Sequence, residues 1–157
     1  MKILFVCLGN ICRSPLAEGI MQKKLQVAGL TAKVEVDSAG FEPFHTGENP
    51  DIRAIRVANK NGVDISQLTA RLFRPDDFEI FDIIYVMDHI NYRDVIFKAR
   101  TKKDQEKVDF LMNLLEPGEN NKVPDPWTGD MHDFEAVYKL LDKATEVLIK
   151  KIQLQVK

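Results

Sequence analysis

Three short apolar runs, rich in β-branched or aromatic residues, stand at residues 3–6, 34–36 and 83–86. Runs of this length and composition are typical of buried strands. Between the first two, apolar residues recur at helical spacing as far as residue 28. Ser14 and Pro15 suit the start of that helix, and Gly29 suits its end. A strand, a helix and a second strand form a βαβ unit, so we expect parallel strands.

The remaining pattern predicts further helices. We expect them over residues 51–61, from 88 to about 98, and along an apolar stripe from 134 to 152. Residues 108–115 fit a strand or a helical turn, and residues 116–131, with three prolines, are predicted to be a loop. This alternation predicts the α/β class, with an open parallel sheet and helices on both faces. In such folds ligands bind beyond the carboxyl ends of the strands.

Composition narrows the classes of function. The 157 residues suffice for one core, and we take residues 1–157 as a single domain. A formal net charge of -2 argues against nucleic acid as a partner, and no apolar stretch is long enough to cross a membrane. Two cysteines are too few for a disulfide scaffold, so we expect a reducing, cytoplasmic setting. The three histidines lack metal-binding spacing, and we expect no metal ion or cofactor.

The sequence VCLGNICRSP, at residues 6–15, joins the first predicted strand to the first predicted helix. Five residues separate Cys7 from Arg13, and their backbone N–H groups can curl around one point. Together with the helix N-terminus they would bind an anion. Gly9 permits a positive φ, and Asn10 tolerates the left-handed region better than most residues. The five residues of this phosphate-binding loop are Leu8, Gly9, Asn10, Ile11 and Cys12.

Three side chains give the loop its chemistry. Arg13 carries a planar fork that can bind two oxygens of one phosphate. The positive surroundings favour the thiolate form of Cys7, and Ser14 is close enough in the sequence to donate a hydrogen bond to that sulfur. The loop therefore suits a tetrahedral dianion with a nucleophile beneath its central atom. The alternative interpretation is structural and is the commoner case for such residues. A cysteine after a strand is usually a small core residue, and an arginine at a helix start is usually a surface charge.

A thiolate that attacks a phosphoryl group needs an acid to protonate the departing oxygen. Asp125 is the candidate, because the prolines on both sides stiffen its backbone and Trp127 would exclude water from one side. A solvated aspartate in a turn is the alternative interpretation. Asp130 and Asp133 suit the start of the last helix better.

These motifs together resemble the low-molecular-weight protein tyrosine phosphatases over nearly the whole chain. The resemblance rests on VCLGNICRSPLAE at 6–18, DSAG at 37–40, PDIRA at 50–54, DPWTG at 125–129 and DFEAVY at 133–138. It implies a four-stranded parallel sheet and hydrolysis of aryl phosphate monoesters through a phosphocysteine intermediate. It also implies phosphotyrosine-containing proteins as substrates, and we favour a monomer.

By position, the resemblance gives Cys7 the role of nucleophile and Arg13 that of phosphate clamp. Asp125 would act as general acid and then as general base. Ser14 would stabilise the sulfur as it leaves, and Cys12 matches a second thiol that can form a disulfide with the nucleophile. The remaining matches are a polar pair that braces the loop and two aromatic walls of the substrate cleft. These are Asn10 with Ser38, and Phe44 with Trp127.

Three positions depart from the family pattern. Thr128 stands where a second aromatic residue is common, and Phe44 stands where a tryptophan or tyrosine is common. Leu68 stands where many members have a histidine, so one buried polar brace of the loop is expected to be missing.

Four other functions remain as alternatives. An arsenate reductase of the same fold needs thiols beyond Cys12, and the sequence has none there. In related phosphoarginine phosphatases a loop threonine helps to select the substrate, where this chain has Ile11. A non-catalytic phosphate-binding module would keep Arg13 but lose the nucleophile or the acid. A dinucleotide-binding domain would need a G-x-G-x-x-G motif, of which Gly9 is not part.

Overall fold

A four-stranded, all-parallel sheet forms the centre of the computed structural model, which describes residues 1–156. The strands lie in the order β2-β1-β3-β4. Their bounds are Lys2–Val6 for β1, Glu35–Ala39 for β2, Ile83–Val86 for β3 and Val108–Phe110 for β4. The predicted open, four-stranded parallel sheet is therefore confirmed.

Six helices surround the sheet within the part of the chain that the structure describes. They are α1 (Arg13–Val27), α2 (Ile52–Lys60), α3 (Asp77–Ile80), α4 (His89–Lys98), α5 (Lys102–Glu106) and α6 (Met131–Gln155). Two short 3₁₀ turns are Pro43–His45 and Leu111–Leu114. None of the helices within residues 1–156 is long and apolar enough to cross a membrane.

The side chains of β1 divide the core into two halves. Ile3 and Phe5 belong to a large apolar cluster with α1, α2 and α6, whereas Leu4 and Val6 belong to a smaller cluster with α3 and α4. Successive side chains of a strand point to opposite faces, so a strand covered on both sides needs a continuous apolar run. The helices thus lie on both faces of the sheet, as predicted.

Two predicted segments differ from the structure. β2 covers Glu35–Ala39 rather than residues 34–36, because its polar end also pairs with β1 and places Ser38 opposite Phe5. Residues 108–115 form both of the structures considered, β4 and then the Leu111–Leu114 turn. The short helices α3 and α5 were not predicted, since they span too few residues for a helical period to be visible.

The start of α1 also differs from the prediction, and this matters for the site. The helix begins at Arg13, with Cys12 at the N-cap position and no side-chain cap. Ser14 therefore lies inside the first turn, and its hydroxyl is available to another partner. The predicted ends of α1 and α2 are confirmed, because Gly29 and Gly62 follow them with positive φ values of 71° and 77°.

Candidate active site

Residues 7–12 form a tight loop between the carboxyl end of β1 and the N-terminus of α1. Asn10 turns the backbone there with a φ of 56°, in the left-handed region. Gly40 allows β2 to approach the loop, because a Cβ at this position would lie 2.8 Å from the Leu8 carbonyl oxygen. Gly9 permits a positive φ but does not adopt one. Instead, a Cβ at Gly9 would crowd the ring of His45 at 3.3 Å.

The Cys7 side chain lies at the floor of this loop and is buried. Its Sγ accepts a hydrogen bond from the Asn10 backbone N–H at 3.3 Å and lies 3.0 Å from Ser14 Oγ. The N-terminus of α1 follows immediately, and its free N–H groups carry partial positive charge. Hydrogen-bond donors and a helix N-terminus around a sulfur stabilise negative charge on it. This environment suits a thiolate nucleophile.

Arg13 lies at the rim of the loop, with only 2% of its surface exposed. Its Nη1 donates to Asp88 Oδ2 at 2.7 Å and to the Val123 carbonyl oxygen at 2.9 Å. Burial lowers the pKa of Arg13, but the negative charges of Cys7, Asp88 and Asp125 outweigh burial and raise it. The guanidinium is thus held in place through one nitrogen, which leaves the remaining donors for an anion.

Asp125 stands opposite Arg13, with Oδ2 3.6 Å from Arg13 Nη2. Its side chain is 43% exposed, so it faces both the loop and solvent. Its Oδ1 accepts a hydrogen bond from the Trp127 backbone N–H at 3.1 Å, which orients the carboxyl group. As predicted, Asp130 and Asp133 serve the start of α6 instead, where they form a capping box.

The segment that carries Asp125 is fastened by Arg53, which sequence reasoning did not single out. Arg53 Nη2 donates to the Trp127 carbonyl oxygen at 2.9 Å, and Nη1 donates to that of Gly129 at 2.8 Å. Asp51 caps α2 and binds the same guanidinium, which stacks over the Phe134 ring at 4.6 Å. The available signal was the PDIRA motif, in which a capping aspartate precedes an arginine.

A cleft of about 130 Å³ opens above the loop. Phe44 and Trp127 stand at its mouth with 70% and 51% of their surfaces exposed, where the predicted walls were placed. Glu42 and His45 also line the cleft and were not predicted. The cleft brings together nine of the predicted side chains or loop positions. These are Cys7, Leu8, Gly9, Ile11, Cys12, Arg13, Phe44, Asp125 and Trp127.

A larger cavity, of about 570 Å³, lies beside β2. Its charged lining includes Lys2, Arg71 and Asp77, but it contains neither cysteine. Size alone would therefore select the wrong cavity. The smaller cleft is the candidate active site, because Cys7, Arg13 and Asp125, the predicted nucleophile, phosphate clamp and acid, all line it.

The two loop thiols differ in their surroundings. Both cysteines are free and buried. Burial raises the pKa of the Cys12 thiol well above its ordinary value, and the negative groups Cys7, Asp51 and Asp125 raise it further. Cys12 is therefore protonated at neutral pH, which leaves Cys7 as the better nucleophile of the pair.

Asn10 and Ser38 brace the loop from beneath. Asn10 Nδ2 donates to Ser14 Oγ at 2.8 Å and to Ser38 Oγ at 2.9 Å. Asn10 Oδ1 accepts from the Arg71 backbone N–H at 3.0 Å. Leu68 packs against the large apolar cluster, and its side chain cannot form a hydrogen bond with the loop. The polar contact to the loop comes instead from the Arg71 backbone N–H.

Glu18 is a further member of this polar group that the sequence did not reveal. It lies in α1 with 5% of its surface exposed, and its Oε2 accepts a hydrogen bond from Ser38 Oγ at 2.8 Å. Burial raises the pKa of Glu18 from 4.5 to about 7. The Ser38 hydrogen bond and Arg71 act against this rise, and Asp37 adds to it.

Removing the Glu18 charge is expected to stabilise the fold at alkaline pH. The pKa of Glu18 is raised on folding, so the folded state loses stability as pH rises from about 4.5 to about 7, and the loss is constant above. The shift corresponds to roughly 3 kcal/mol at most. Glu18→Gln should therefore raise the urea midpoint at pH 8 and leave it nearly unchanged at pH 4. Equal midpoints at pH 8 would contradict the assignment.

A buried thiol that accepts a backbone hydrogen bond at a strand-to-helix turn suits attack on a phosphoryl group, and the class that this fold and site define is the cysteine-dependent phosphatases. The family model for low molecular weight phosphotyrosine protein phosphatase matches residues 2–157. The chain therefore belongs to that family, as the motifs predicted.

Individual relatives are similar over almost their full lengths. A low molecular weight protein-tyrosine-phosphatase assigned to Synechocystis sp. is 42% identical over 97% of this chain and 96% of its own length. The low molecular weight phosphotyrosine protein phosphatase of Schizosaccharomyces pombe is 37% identical over 97% of both chains. A crystal structure of an Entamoeba histolytica protein tyrosine phosphatase, with Hepes in its active site, superposes with a TM-score of 0.91. It is 36% identical and covers 99% of this chain and 98% of its own.

Proposed function

We propose that Cys7, Arg13 and Asp125 carry the two-step chemistry of this protein tyrosine phosphatase, within a single catalytic domain formed by residues 1–157. The observation that carries the proposal is the position of Cys7 Sγ, on the floor of a loop of backbone N–H groups at the base of a cleft. Arg13 and Asp125, 3.6 Å apart, stand on the rim of the same cleft.

In the first step the thiolate of Cys7 attacks the phosphorus atom of phosphotyrosine. The S–P bond forms as the bond between phosphorus and the phenolic oxygen breaks. Asp125, protonated at this stage, gives its proton to the departing oxygen. Arg13 and the backbone N–H groups of residues 8–13 bind the three equatorial oxygens, on which negative charge is spread in the transition state.

In the second step water hydrolyses the phosphocysteine. Asp125, now ionised, takes a proton from the water molecule whose oxygen attacks phosphorus. The S–P bond breaks, the sulfur leaves as a thiolate, and inorganic phosphate is released. The Ser14 hydroxyl, 3.0 Å from Cys7 Sγ, stabilises the charge that returns to the sulfur. Every proton in these steps comes from a side chain or from water.

The shape of the cleft supports phosphotyrosine-containing proteins as substrates. Cys7 is buried, whereas the walls Phe44 and Trp127 are exposed above it. An aryl stem can carry a phosphate from the walls to the loop more easily than the short side chain of phosphoserine. Ile11 lines the cleft with an apolar side chain, which favours a ring over a charged guanidino group. We propose that the protein acts as a monomer in the cytoplasm, a reducing setting that keeps the Cys7 thiolate intact, without nucleic acid or membrane as a partner.

Initial rates on matched peptides test this function. We expect the rate on a phosphotyrosine peptide to exceed those on phosphoserine and phosphoarginine peptides with the same flanking residues. Arsenate reduction in the presence of thiols is expected to be absent. A preference for phosphoarginine or for arsenate would overturn the proposal.

Asp125→Asn is expected to lower kcat/KM on phenyl phosphate by roughly 10²–10³-fold, because the phenolic oxygen leaves poorly without a proton. The loss on nitrophenyl phosphate should be much smaller, since that oxygen leaves more easily as an anion. Asp130→Asn is the matched control, because asparagine caps a helix as well as aspartate does. Equal losses on both substrates would show that Asp125 is not the acid.

Trp127→Ala is expected to raise KM for aryl phosphates by roughly tenfold, because an aromatic wall is lost. Inhibition by free phosphate should hardly change, since phosphate contacts only the loop. The backbone oxygen that Arg53 binds is kept in this variant. Phe97→Ala, at a distant position with 88% exposure, is the control. Parallel weakening of phosphate and aryl phosphate would mean that Trp127 supports the protein's own loop.

A further inference from the structure

The segment that carries the proposed acid has few polar contacts with the rest of the protein. Residues 124–129 belong to no helix or strand. Within residues 1–156, the hydrogen bonds that join this segment to other elements all come from one side chain, that of Arg53. In the same part of the chain, the one ion pair of the segment is that of Asp125 with Arg13, at 3.6 Å. Two arginines therefore supply the polar contacts that hold Asp125 over the cleft.

Arg53 binds the segment at two backbone oxygens. Its Nη2 donates to the Trp127 carbonyl oxygen at 2.9 Å, and its Nη1 donates to that of Gly129 at 2.8 Å. The backbone N–H of Trp127 in turn donates to Asp125 Oδ1 at 3.1 Å. Oδ1 is thereby occupied, which leaves Oδ2, the oxygen that faces Arg13, to carry the proton for the departing oxygen. Trp127 alone thus joins Arg53 to Asp125.

The opposite side of Arg53 is anchored to the phosphate-binding loop through Asp51. The Asp51 carboxylate accepts from Arg53 Nε at 3.0 Å with Oδ1 and from Nη2 at 2.9 Å with Oδ2. The Asp51 backbone N–H donates to the Ile11 carbonyl oxygen at 2.8 Å. The guanidinium also lies 4.6 Å over the ring of Phe134, which is fully buried in α6. Asp51 and Arg53 therefore connect the loop of the nucleophile to the segment of the acid.

The ion pair with Arg13 cannot hold the acid at the moment when its proton is needed. In the first step Asp125 is protonated and therefore neutral, so its Coulomb attraction to the Arg13 guanidinium is lost. The hydrogen bonds from Arg53 go to backbone oxygens, and their strength does not depend on the charge of Asp125. The planar guanidinium also fixes the directions of these hydrogen bonds. Arg53 is thus the polar contact that remains at this stage.

We propose that Arg53 is a positioning residue for the acid: by binding the Trp127 and Gly129 carbonyl oxygens, it holds Asp125 Oδ2 beside the departing phenolic oxygen. This inference rests on the proposed function, in which Asp125 gives its proton to that oxygen as the bond to phosphorus breaks. Asp51 fixes the guanidinium relative to the phosphate-binding loop, so the pair sets the distance between nucleophile and acid. A misplacement of about 1 Å can cost roughly 10²-fold in rate.

Arg53→Met tests the proposal, because methionine keeps an apolar stem over the Phe134 ring but donates no hydrogen bond. We expect kcat/KM on phenyl phosphate to fall roughly 10–10²-fold, and that on nitrophenyl phosphate, whose oxygen needs less help to leave, to fall much less. Inhibition by free phosphate should not change, since the loop that binds it is kept. Arg56→Met, which replaces an exposed arginine of the same helix, is the matched control and should behave as wild type.

A double variant separates positioning of the acid from general damage to the site. A residue that acts through the acid has no further effect once the acid is gone. Arg53→Met/Asp125→Asn should therefore be nearly as fast on phenyl phosphate as Asp125→Asn alone. Losses that multiply in the double variant would overturn the proposal. Equal losses on the two substrates in Arg53→Met, or wild-type rates in that variant, would overturn it as well.

Asp51→Asn is the second variant, and it decides the question if Arg53→Met does not fold. Asparagine still caps α2 and keeps the backbone N–H on Ile11, but it lacks the charge that orients the Arg53 guanidinium. We expect the same dependence on the leaving group, with a loss of roughly tenfold on phenyl phosphate. Equal losses on both substrates, or wild-type rates, would contradict the role of the pair.

Failure of the proposed function would look different from failure of this inference. In that case Asp125→Asn would itself lose equally on the two substrates, or Cys7→Ser would retain turnover, whatever Arg53→Met does. If only the positioning role of Arg53 is wrong, Asp125→Asn keeps its dependence on the leaving group and Arg53→Met shows none.

Discussion

Cys7→Ser is expected to abolish turnover, with a loss in kcat on the order of 10⁴-fold or more. A serine hydroxyl is far less ionised than a thiol near neutral pH, so the attack on phosphorus fails. The cradle for the anion remains, because it is built from backbone N–H groups and Arg13 rather than from the sulfur. Phosphate should therefore still raise the melting temperature of the variant.

Cys12→Ser is the matched control for this experiment. It removes the second thiol of the same loop, a buried and protonated one, without removing the nucleophile. We expect it to keep most of its turnover. Turnover by Cys7→Ser comparable to wild type would contradict a covalent mechanism, and loss of turnover in both variants with loss of phosphate binding would point to damage to the loop.

Arg13→Lys is expected to lower kcat/KM by roughly 10²–10³-fold while the protein remains folded. Lysine keeps the positive charge beside Asp88 but lacks the planar fork of arginine. The guanidinium of Arg13 can bind two oxygens of the phosphoryl group while its Nη1 still donates to Asp88. The loss should appear in kcat as well as in KM, because the equatorial oxygens gain charge in the transition state.

Two measurements make the Arg13→Lys result interpretable. Circular dichroism should show an unchanged fold, and Arg93→Lys, a change at a side chain that is 73% exposed, should leave the rates as in wild type. Near-wild-type activity of Arg13→Lys would mean that the guanidinium has no part in binding the phosphoryl group.

The parts of the site that could be predicted are those that lie close together in the sequence. Cys7, Asn10, Arg13 and Ser14 fall within one turn between a strand and a helix, so elementary loop geometry brings them close together. The place of Asp125 beside Arg13 agrees with the sequence prediction, which rested on the need of the proposed reaction for an acid and on the prolines that flank Asp125.

The parts that could not be predicted join residues far apart in the sequence. Arg53 binds the Trp127 carbonyl oxygen across 74 positions, and the Arg71 backbone binds Asn10 across 61. The residues that flank Arg53 and Arg71 in the sequence do not identify these distant partners. Glu18 was missed for a related reason, because only the folded structure shows that its position on α1 is buried against Ser38.

The start of α1 departs from the helix-capping rule that the sequence suggested. Serine before proline is a good helix start, yet Ser14 lies in the first turn and places its hydroxyl 3.0 Å from Cys7 Sγ. Cys12 occupies the cap position with no side-chain cap. The N–H groups at this helix end are then free of a side-chain cap, as an anion-binding helix N-terminus requires.

The most direct test of the central claim is to trap the phosphorylated enzyme. Wild-type protein mixed with an aryl phosphate, quenched in acid during turnover and digested, should yield the peptide containing Cys7 with the added mass of one phosphoryl group, and fragmentation should place that group on sulfur. Asp125→Asn treated in the same way with nitrophenyl phosphate should accumulate more of this species, because it lacks the base for the second step. A phosphoryl group on any other residue, or turnover without phosphorylation of Cys7, would contradict the account.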